Sequence, residues 1–502
     1  MNILLINPPR HNELIGKNPA IVEKHRGFNP PLGILSLAGY LLDHSSYCVE
    51  VFDAQPGNLS YPALENLLSK REKIPDVIGI TAMTFTLIDV AKMIASVKKV
   101  FPNSIVVLGG PHTHIFPTET IKNENVDYLV QGEGEIVFKE LLDNLNNPEG
   151  LKAIKGLVFK EGNKIIDTGI AISTENLDEL GIPARSLLNV TDYSSLLGRS
   201  NVITTMFTSR GCPYRCTFCD RPFSPVISGF RYRSARHVAD EIEQCIELGI
   251  GEAFIYDDTF TVRKDRVFEL CEEIKARKLK FRWDIRAHVN TVTQDMLKAM
   301  KDAGCDRVHY GVESGNDRML KVIKKNATLD RIESAVRWTK EAKLEVLTYF
   351  IIGQQSETLS DIGDTVTLAK KLNPNYAHFT VFCPYPATEI YAQGLDREII
   401  KEDVWKQFAV NPIAGFELPV WEEIFTRKEL RELLVKCYKE FYLRPGYIIR
   451  SASRMRSFGE FSRKAKAGMS VINMKATGGN DSKSLRQLAR NIIPHSSYDV
   501  HH

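Results

Sequence analysis

The sequence predicts an α/β chain made of a Rossmann-like (flavodoxin-like) doubly wound domain, a partial (β/α)6 TIM-type barrel and a small C-terminal helical region. Short apolar runs alternate with amphipathic helical stretches in two series, one up to about residue 145 and one from Asn201 to about 394. Glycine-rich loops fall at the ends of the predicted strands. Three of the nine cysteines crowd a single loop at the start of the second series.

A chain of 502 residues exceeds one ordinary core, which predicts domains at 1–145, 201–394 and 395–502 joined by a connector at 146–200. Lys plus Arg number 65 against 62 Asp plus Glu, so global charge names no partner and gives no reason to expect nucleic acid. No run approaches the ~18 uninterrupted apolar residues of a membrane-spanning helix. The opening Met1-Asn2-Ile3-Leu4-Leu5-Ile6, followed by Asn7-Pro8-Pro9, lacks the pattern of a signal peptide, and a cytoplasmic location is expected. Cysteines in that compartment serve as ligands or core residues rather than disulfides.

Strands are predicted in the first domain at 2–6, 47–52, 76–80, 104–108 and 127–130, with a helix at 87–100 among those between them. Such βα units form a parallel sheet that binds ligands at its carboxyl ends. The loops there read Asn7-Pro8-Pro9, Thr81-Ala82-Met83-Thr84, Gly109-Gly110-Pro111-His112 and Gly132-Glu133-Gly134-Glu135. In the connector, 156–160 and 164–167 flank Glu161-Gly162-Asn163 as a small hairpin.

The second series predicts six strands, at 203–208, 253–256, 281–285, 308–312, 346–352 and 377–382, which is too few for a closed eight-fold barrel. On the helix at 265–277, Val267, Leu270, Cys271 and Ile274 keep the spacing of a core-facing stripe, so Cys271 is read as core, and Cys245 likewise. Beyond 395 the pattern is helical and more polar, clearest at 425–442. From Arg444 onward 11 basic residues face only Glu460, Asp481 and Asp499, a basic tail suited to an anionic substrate or peripheral membrane contact through Arg444, Arg450, Arg454 and Arg456.

The segment Arg210-Gly211-Cys212-Pro213-Tyr214-Arg215-Cys216-Thr217-Phe218-Cys219 sets three thiols in a C-x3-C-x2-C loop just after the first barrel strand. Clustered thiolates select zinc or an iron–sulfur cluster. Structural zinc takes four closed ligands, and three cysteines with no nearby fourth favour a cluster with one open iron.

This triad, on this barrel, resembles the radical S-adenosylmethionine (radical SAM) superfamily across about residues 200 to 390. The resemblance implies a 4Fe-4S cluster on Cys212, Cys216 and Cys219 and reductive cleavage of S-adenosylmethionine to a deoxyadenosyl radical, with the cofactor carrying the chemistry. It further implies that Arg286, Glu313 and Ser314 meet the polar end of S-adenosylmethionine, that the Phe218 backbone and the Gly353 region meet its adenine, and that Asp258 also contacts the cofactor.

The first half resembles the cobalamin-binding domain of one branch of that superfamily, through Pro31, Leu32 and Gly33, Thr81 and Thr84, Gly109, Gly110 and His112, and Gly132 and Glu133. No D-x-H-x-x-G is present to supply a histidine to cobalt. The resemblance implies methylation of an unactivated carbon. It leaves open an oxidative cyclase like the anaerobic magnesium-protoporphyrin ester cyclases, or a first domain without cobalamin; a structural or electron-transfer metalloprotein is the reading of a different class. Cys48, Cys245, Cys271, Cys305, Cys383 and Cys437 offer no second cluster motif, which sets methylthiotransferase chemistry aside. A small-molecule or lipid substrate between the domains and a reducing partner such as flavodoxin or ferredoxin are expected.

Overall fold

Strand β1 (Asn2–Asn7) is buried along all but its first residue because it lies inside a parallel sheet, between β2 (Cys48–Asp53) and β3 (Val77–Thr81). The structure, a computed structural model, describes residues 1–14, 28–171, 173–195, 197–221, 229–453, 468–469 and 471–474. Strands β4 (Ile105–Gly109) and β5 (Tyr128–Val130) continue the sheet in parallel. The order β2-β1-β3-β4-β5 reverses direction between β1 and β3, which opens a crevice at their carboxyl ends.

The connector hairpin is not a bridge between domains. Its strands β6 (Leu157–Glu161) and β7 (Lys164–Asp167) pair antiparallel onto β5 and complete a seven-stranded sheet. The exposed edge of β5 needs partners for its backbone groups, and buried Leu157, Val158 and Phe159 supply the apolar face that docks there.

In the second domain β8 (Ile203–Met206) leads into a two-residue ribbon, β9 (Ser209–Arg210) with β10 (Arg231–Tyr232). Strands β11 (Glu252–Ile255), β12 (Arg282–Ala287), β13 (Cys305–Glu313), β14 (Glu345–Ile352) and β15 (Tyr376–Val381) follow, all parallel. The order β15-β14-β13-β12-β11-β8 leaves β8 and β15 as edges, giving the partial barrel. Cys245 and Cys271 lie in the core outside this sheet, as their helical spacing predicts.

The C-terminal region divides between the two domains instead of forming a cap of its own. Tyr391, Ile400, Trp405 and Phe408, around helices Glu389–Asp396 and Val404–Val410, join the core that contains Leu4, Ile6, Ile78 and Ile80 of the first sheet. Helix Arg427–Tyr442 packs on β15, where the Tyr438 and Tyr442 hydroxyls donate to the carbonyls of Phe379 and Ala377. Arg444 is not a free cation, since its guanidinium donates to the carbonyls of Phe441 and Lys370. Arg454 and Arg456 lie outside the described residues.

Candidate functional site

Asp257, at the end of β11, fixes the start of the cysteine loop. Its carboxylate accepts from the backbone N–H of Thr208 (2.6 Å) and Ser209 (3.0 Å) and from both hydroxyls (2.6 Å each). It therefore acts as a scaffold for the ribbon and does not cap the following helix. Gly211 then turns the chain at φ +90°, a conformation that favours glycine.

Beyond that turn the loop is pinned at several points. Tyr214 stacks on His288 at 3.8 Å, the Thr217 N–H donates to the carbonyl of Ile323, and the Thr217 carbonyl accepts from Ile390. Cys212 Sγ lies 3.6 Å from Thr259 Oγ1. All nine cysteines are free, and burial raises the Cys216 thiol and pushes that of Cys219 up to about 12. Among the described residues no three His, Cys, Asp or Glu side chains converge on a single metal ion.

Metal binding requires thiolates, so a buried thiol site needs a compensating cation. Lys325 supplies one. Burial works against its charge, but Glu313 and the thiols of Cys216 and Cys212 outweigh it and hold the ammonium above its ordinary pKa. Its Nζ lies 2.8 Å from Glu313 Oε1. Glu313 is aimed there by a bulge between Gly311 and Glu313 and by a left-handed φ of +69°. Three soft donors on one loop, two of them, Cys212 and Cys216, beside a buried cation, fit a polynuclear iron–sulfur cluster.

The remaining barrel residues separate into two groups. Arg286 is exposed at the end of β12, with its guanidinium 4.2 Å over the Tyr256 ring. Asp258 lies 3.2 Å from Arg221 of the cysteine loop, and burial, opposed by that arginine, raises its carboxyl pKa. Both thus stand beside the thiols or the open strand ends. The Ser314 hydroxyl instead turns to Thr365 at 3.3 Å, because the bulge rotates it toward helix Leu359–Leu372. Gly353 (φ +80°) donates its N–H to Glu357, and a Cβ there would come 2.5 Å from Leu430. Phe218 packs with Phe382, Ile390 and Trp421.

In the first domain Thr81 and Gly109 pair at the ends of β3 and β4. Gly110 has φ +107°, and a Cβ there would come 2.8 Å from the Ala82 carbonyl. Buried His112 shares a 3.0 Å hydrogen bond with Thr84 through Nδ1, while its Nε2 has no partner among the described residues. Burial lowers its pKa to about 3, so the imidazole is neutral. An orphaned nitrogen beside a glycine turn at the strand ends suits a bulky polar ring system such as a corrin. Leu32 is buried in helix Leu32–His44, Pro31 precedes that helix, and Gly33 faces open space. Gly132 turns at φ +92°, but Glu133 points at the barrel, 2.5 Å from Arg231 and 3.2 Å from Arg210, and Glu135 lies 2.6 Å from Arg210.

The sequence reading missed Lys325 and the scaffold role of Asp257. In Lys324-Lys325-Asn326 both lysines look like surface charge, yet Lys324 is exposed and pairs with Glu389 while Lys325 is buried. Nothing in the local pattern distinguishes them.

Known proteins resemble this chain in sequence and in fold. The model of the radical SAM superfamily matches residues 206–369, and that of the B12 binding domain matches 19–142. The chain is 33% identical over 455 residues to the uncharacterized methyltransferase PH0819 of Pyrococcus horikoshii, spanning 90% of this chain and 94% of the relative. It is 29% identical over 425 residues to the anaerobic magnesium-protoporphyrin IX monomethyl ester cyclase of Cereibacter sphaeroides, spanning 83% of this chain and 67% of that one. Its fold matches that of the radical S-adenosylmethionine methyltransferase TsrM from Kitasatospora setae, a structure with cobalamin and a 4Fe-4S cluster bound, at a TM-score of 0.70 and 16% identity, over 98% of this chain and 100% of that one.

Proposed function

This chain belongs to the radical SAM superfamily, with a B12 binding domain ahead of the barrel, and from that premise we propose that it methylates an unactivated carbon of a small molecule held between the two domains. The observation that carries the reading is that loops from the carboxyl ends of both sheets meet. His114, which follows β4, lies close enough to Asp220 and Arg221 of the cysteine loop for both charges to act on it. The Asn29 side-chain amide lies 3.4 Å from the Tyr256 hydroxyl, and Phe85 packs edge-on against Tyr385 at 5.1 Å.

When bound, the 4Fe-4S cluster with S-adenosylmethionine supplies a deoxyadenosyl radical that removes hydrogen from carbon, and cobalamin supplies the methyl group. Cys212, Cys216 and Cys219 hold the cluster. Arg286, Glu313 and Lys325 offer charges of both signs to the polar end of S-adenosylmethionine, and the Gly353 turn and Phe218 provide a surface for adenine. Thr84, Gly110 and His112 form the first-domain side of the site. The electron comes from a small reducing protein such as flavodoxin or ferredoxin. No described helix is long and apolar enough to cross a membrane.

The likeness to the cyclase supports a second reading, in which the same cofactors oxidise and close a ring. The two are separated without a substrate by supplying the reconstituted protein with hydroxocobalamin, a strong reductant and S-adenosylmethionine labelled in its methyl group. Methyl transfer predicts S-adenosylhomocysteine and label on the corrin. Deoxyadenosine and methionine without S-adenosylhomocysteine would overturn it in favour of the cyclase reading.

A further inference from the structure

The loop Gly132-Glu133-Gly134-Glu135 leaves the carboxyl end of β5 in the first domain, yet both of its carboxylates reach into the barrel domain. Glu135 is only 5% exposed, and its carboxylate lies 2.6 Å from the Arg210 guanidinium. Glu133 lies 3.2 Å from Arg210 and 2.5 Å from Arg231, the residue opposite Arg210 in the β9–β10 ribbon. Arg231 also donates to the Thr174 carbonyl of the connector. One guanidinium thus spans two carboxylates of the other domain, a fork that the point charge of a lysine does not reproduce.

Arg210 stands two residues before Cys212. Between them Gly211 turns at φ +90°, so the direction in which the chain enters the cysteine loop depends on where Arg210 is held. Thr208 and Ser209 are fixed by Asp257, and Arg210 completes that anchored stretch on the near side of the turn. Past Cys212 the chain is anchored to the barrel itself, by Tyr214 on His288 and by the Thr217 N–H on the Ile323 carbonyl. Entry to the loop and its far side therefore answer to different domains.

We propose that Glu133 and Glu135 are positioning residues for the cluster: through Arg210 the first domain sets where Cys212 presents its thiolate. The inference rests on the assignment of the cluster to Cys212, Cys216 and Cys219 and is independent of what the enzyme methylates. Groups that orient a metal's ligands without touching the metal change its retention by roughly 10–100-fold when they are lost.

The test uses the full-length protein, reconstituted anaerobically, and follows iron loss to a ferrous chelator. Arg210→Lys keeps the cation but not the fork, and Glu135→Gln keeps the shape but not the charge. Each should lose iron roughly tenfold faster than the parent. Tyr193→Phe is the control. It removes a different contact between the domains, the 2.8 Å hydrogen bond from the Tyr193 hydroxyl to Asp53, and should lose iron at the parental rate. The electron paramagnetic resonance spectrum of the reduced cluster with S-adenosylmethionine should change in the first two variants and match the parent in Tyr193→Phe. Circular dichroism checks folding, and Arg210→Lys carries the test if Glu135→Gln does not fold. Parental iron loss in either folded variant overturns the proposal. Equal acceleration in Tyr193→Phe also overturns it, because the domains would then have loosened as a whole. A parent that holds no iron after reconstitution overturns the cluster assignment, and the proposal with it.

Discussion

Lys325 Nζ and Glu313 Oε1 form a buried ion pair at 2.8 Å, and Gly311 leaves the space the pair occupies. A Cβ on Gly311 would come 2.2 Å from that carboxylate oxygen and 2.8 Å from the ammonium. The strand that carries the glutamate is thus shaped around its partner, beside the thiols.

Substitution here should be expensive. Gly311→Ala must displace the pair, at a cost of about 1–3 kcal/mol. Lys325→Met leaves Glu313 buried and unpaired, at a cost of about 3–5 kcal/mol, and adding Glu313→Gln should recover most of it. Denaturant unfolding of the reconstituted proteins measures all three. Equal stability of Lys325→Met and the parent would show that the pair is solvated.

The cysteines divide by role. After anaerobic reconstitution Cys216→Ala should hold almost no iron. Cys271→Ala, in the core behind the sheet, should keep its iron and lose about 1–2 kcal/mol of stability. Iron analysis together with a melting curve checks both.

Two first-domain residues should separate in the same way. Glu133 faces Arg231 and Arg210, so Glu133→Gln should cost about 1.5–3 kcal/mol and leave hydroxocobalamin retention unchanged. His112→Phe should keep the fold but weaken corrin retention about tenfold, through loss of one hydrogen-bonding nitrogen. Corrin absorbance after gel filtration is the readout, and the opposite pattern would reassign Glu133 to the corrin.

Glu357 carries a pH dependence. Burial, opposed by the Gln354 and Gly353 amides that donate to it, raises its carboxyl pKa to about 7 from an ordinary 4.5. The folded state therefore holds the proton more tightly than the unfolded chain. The contribution of Glu357 to stability is fully present below about pH 4.5 and is lost as pH rises through about 7. Glu357→Gln should match the parent near pH 4.5 and exceed it above pH 7, by at most on the order of 3 kcal/mol. Unfolding midpoints across that range test it, and parallel curves for the two proteins would show that the carboxyl does not titrate there.

Much of the fold was legible because burial leaves a periodic trace. Strands buried on both faces read as continuous apolar runs, and Cys245 and Cys271 declared themselves core residues by helical spacing. The connector hairpin was visible as two strands, but its attachment to β5 was not, because an edge is a property of the assembled sheet. The C-terminal helices were visible as helices. Their division between two cores depends on contacts such as those of Trp405 in the cluster that contains Ile6.

By itself the sequence determined the two α/β domains and the three thiols, because both are local: alternation along a segment and spacing within one loop. Only the tertiary structure decided which way the charged and polar groups around the cysteine loop and the first-domain strand ends turn. Lys325 is buried while its neighbour Lys324 is exposed, Ser314 turns away while Glu313 turns in, and Glu133 reaches a residue 98 positions distant. A bulge, a positive φ and the packing of distant strands set those directions, and none of them leaves a period in the chain.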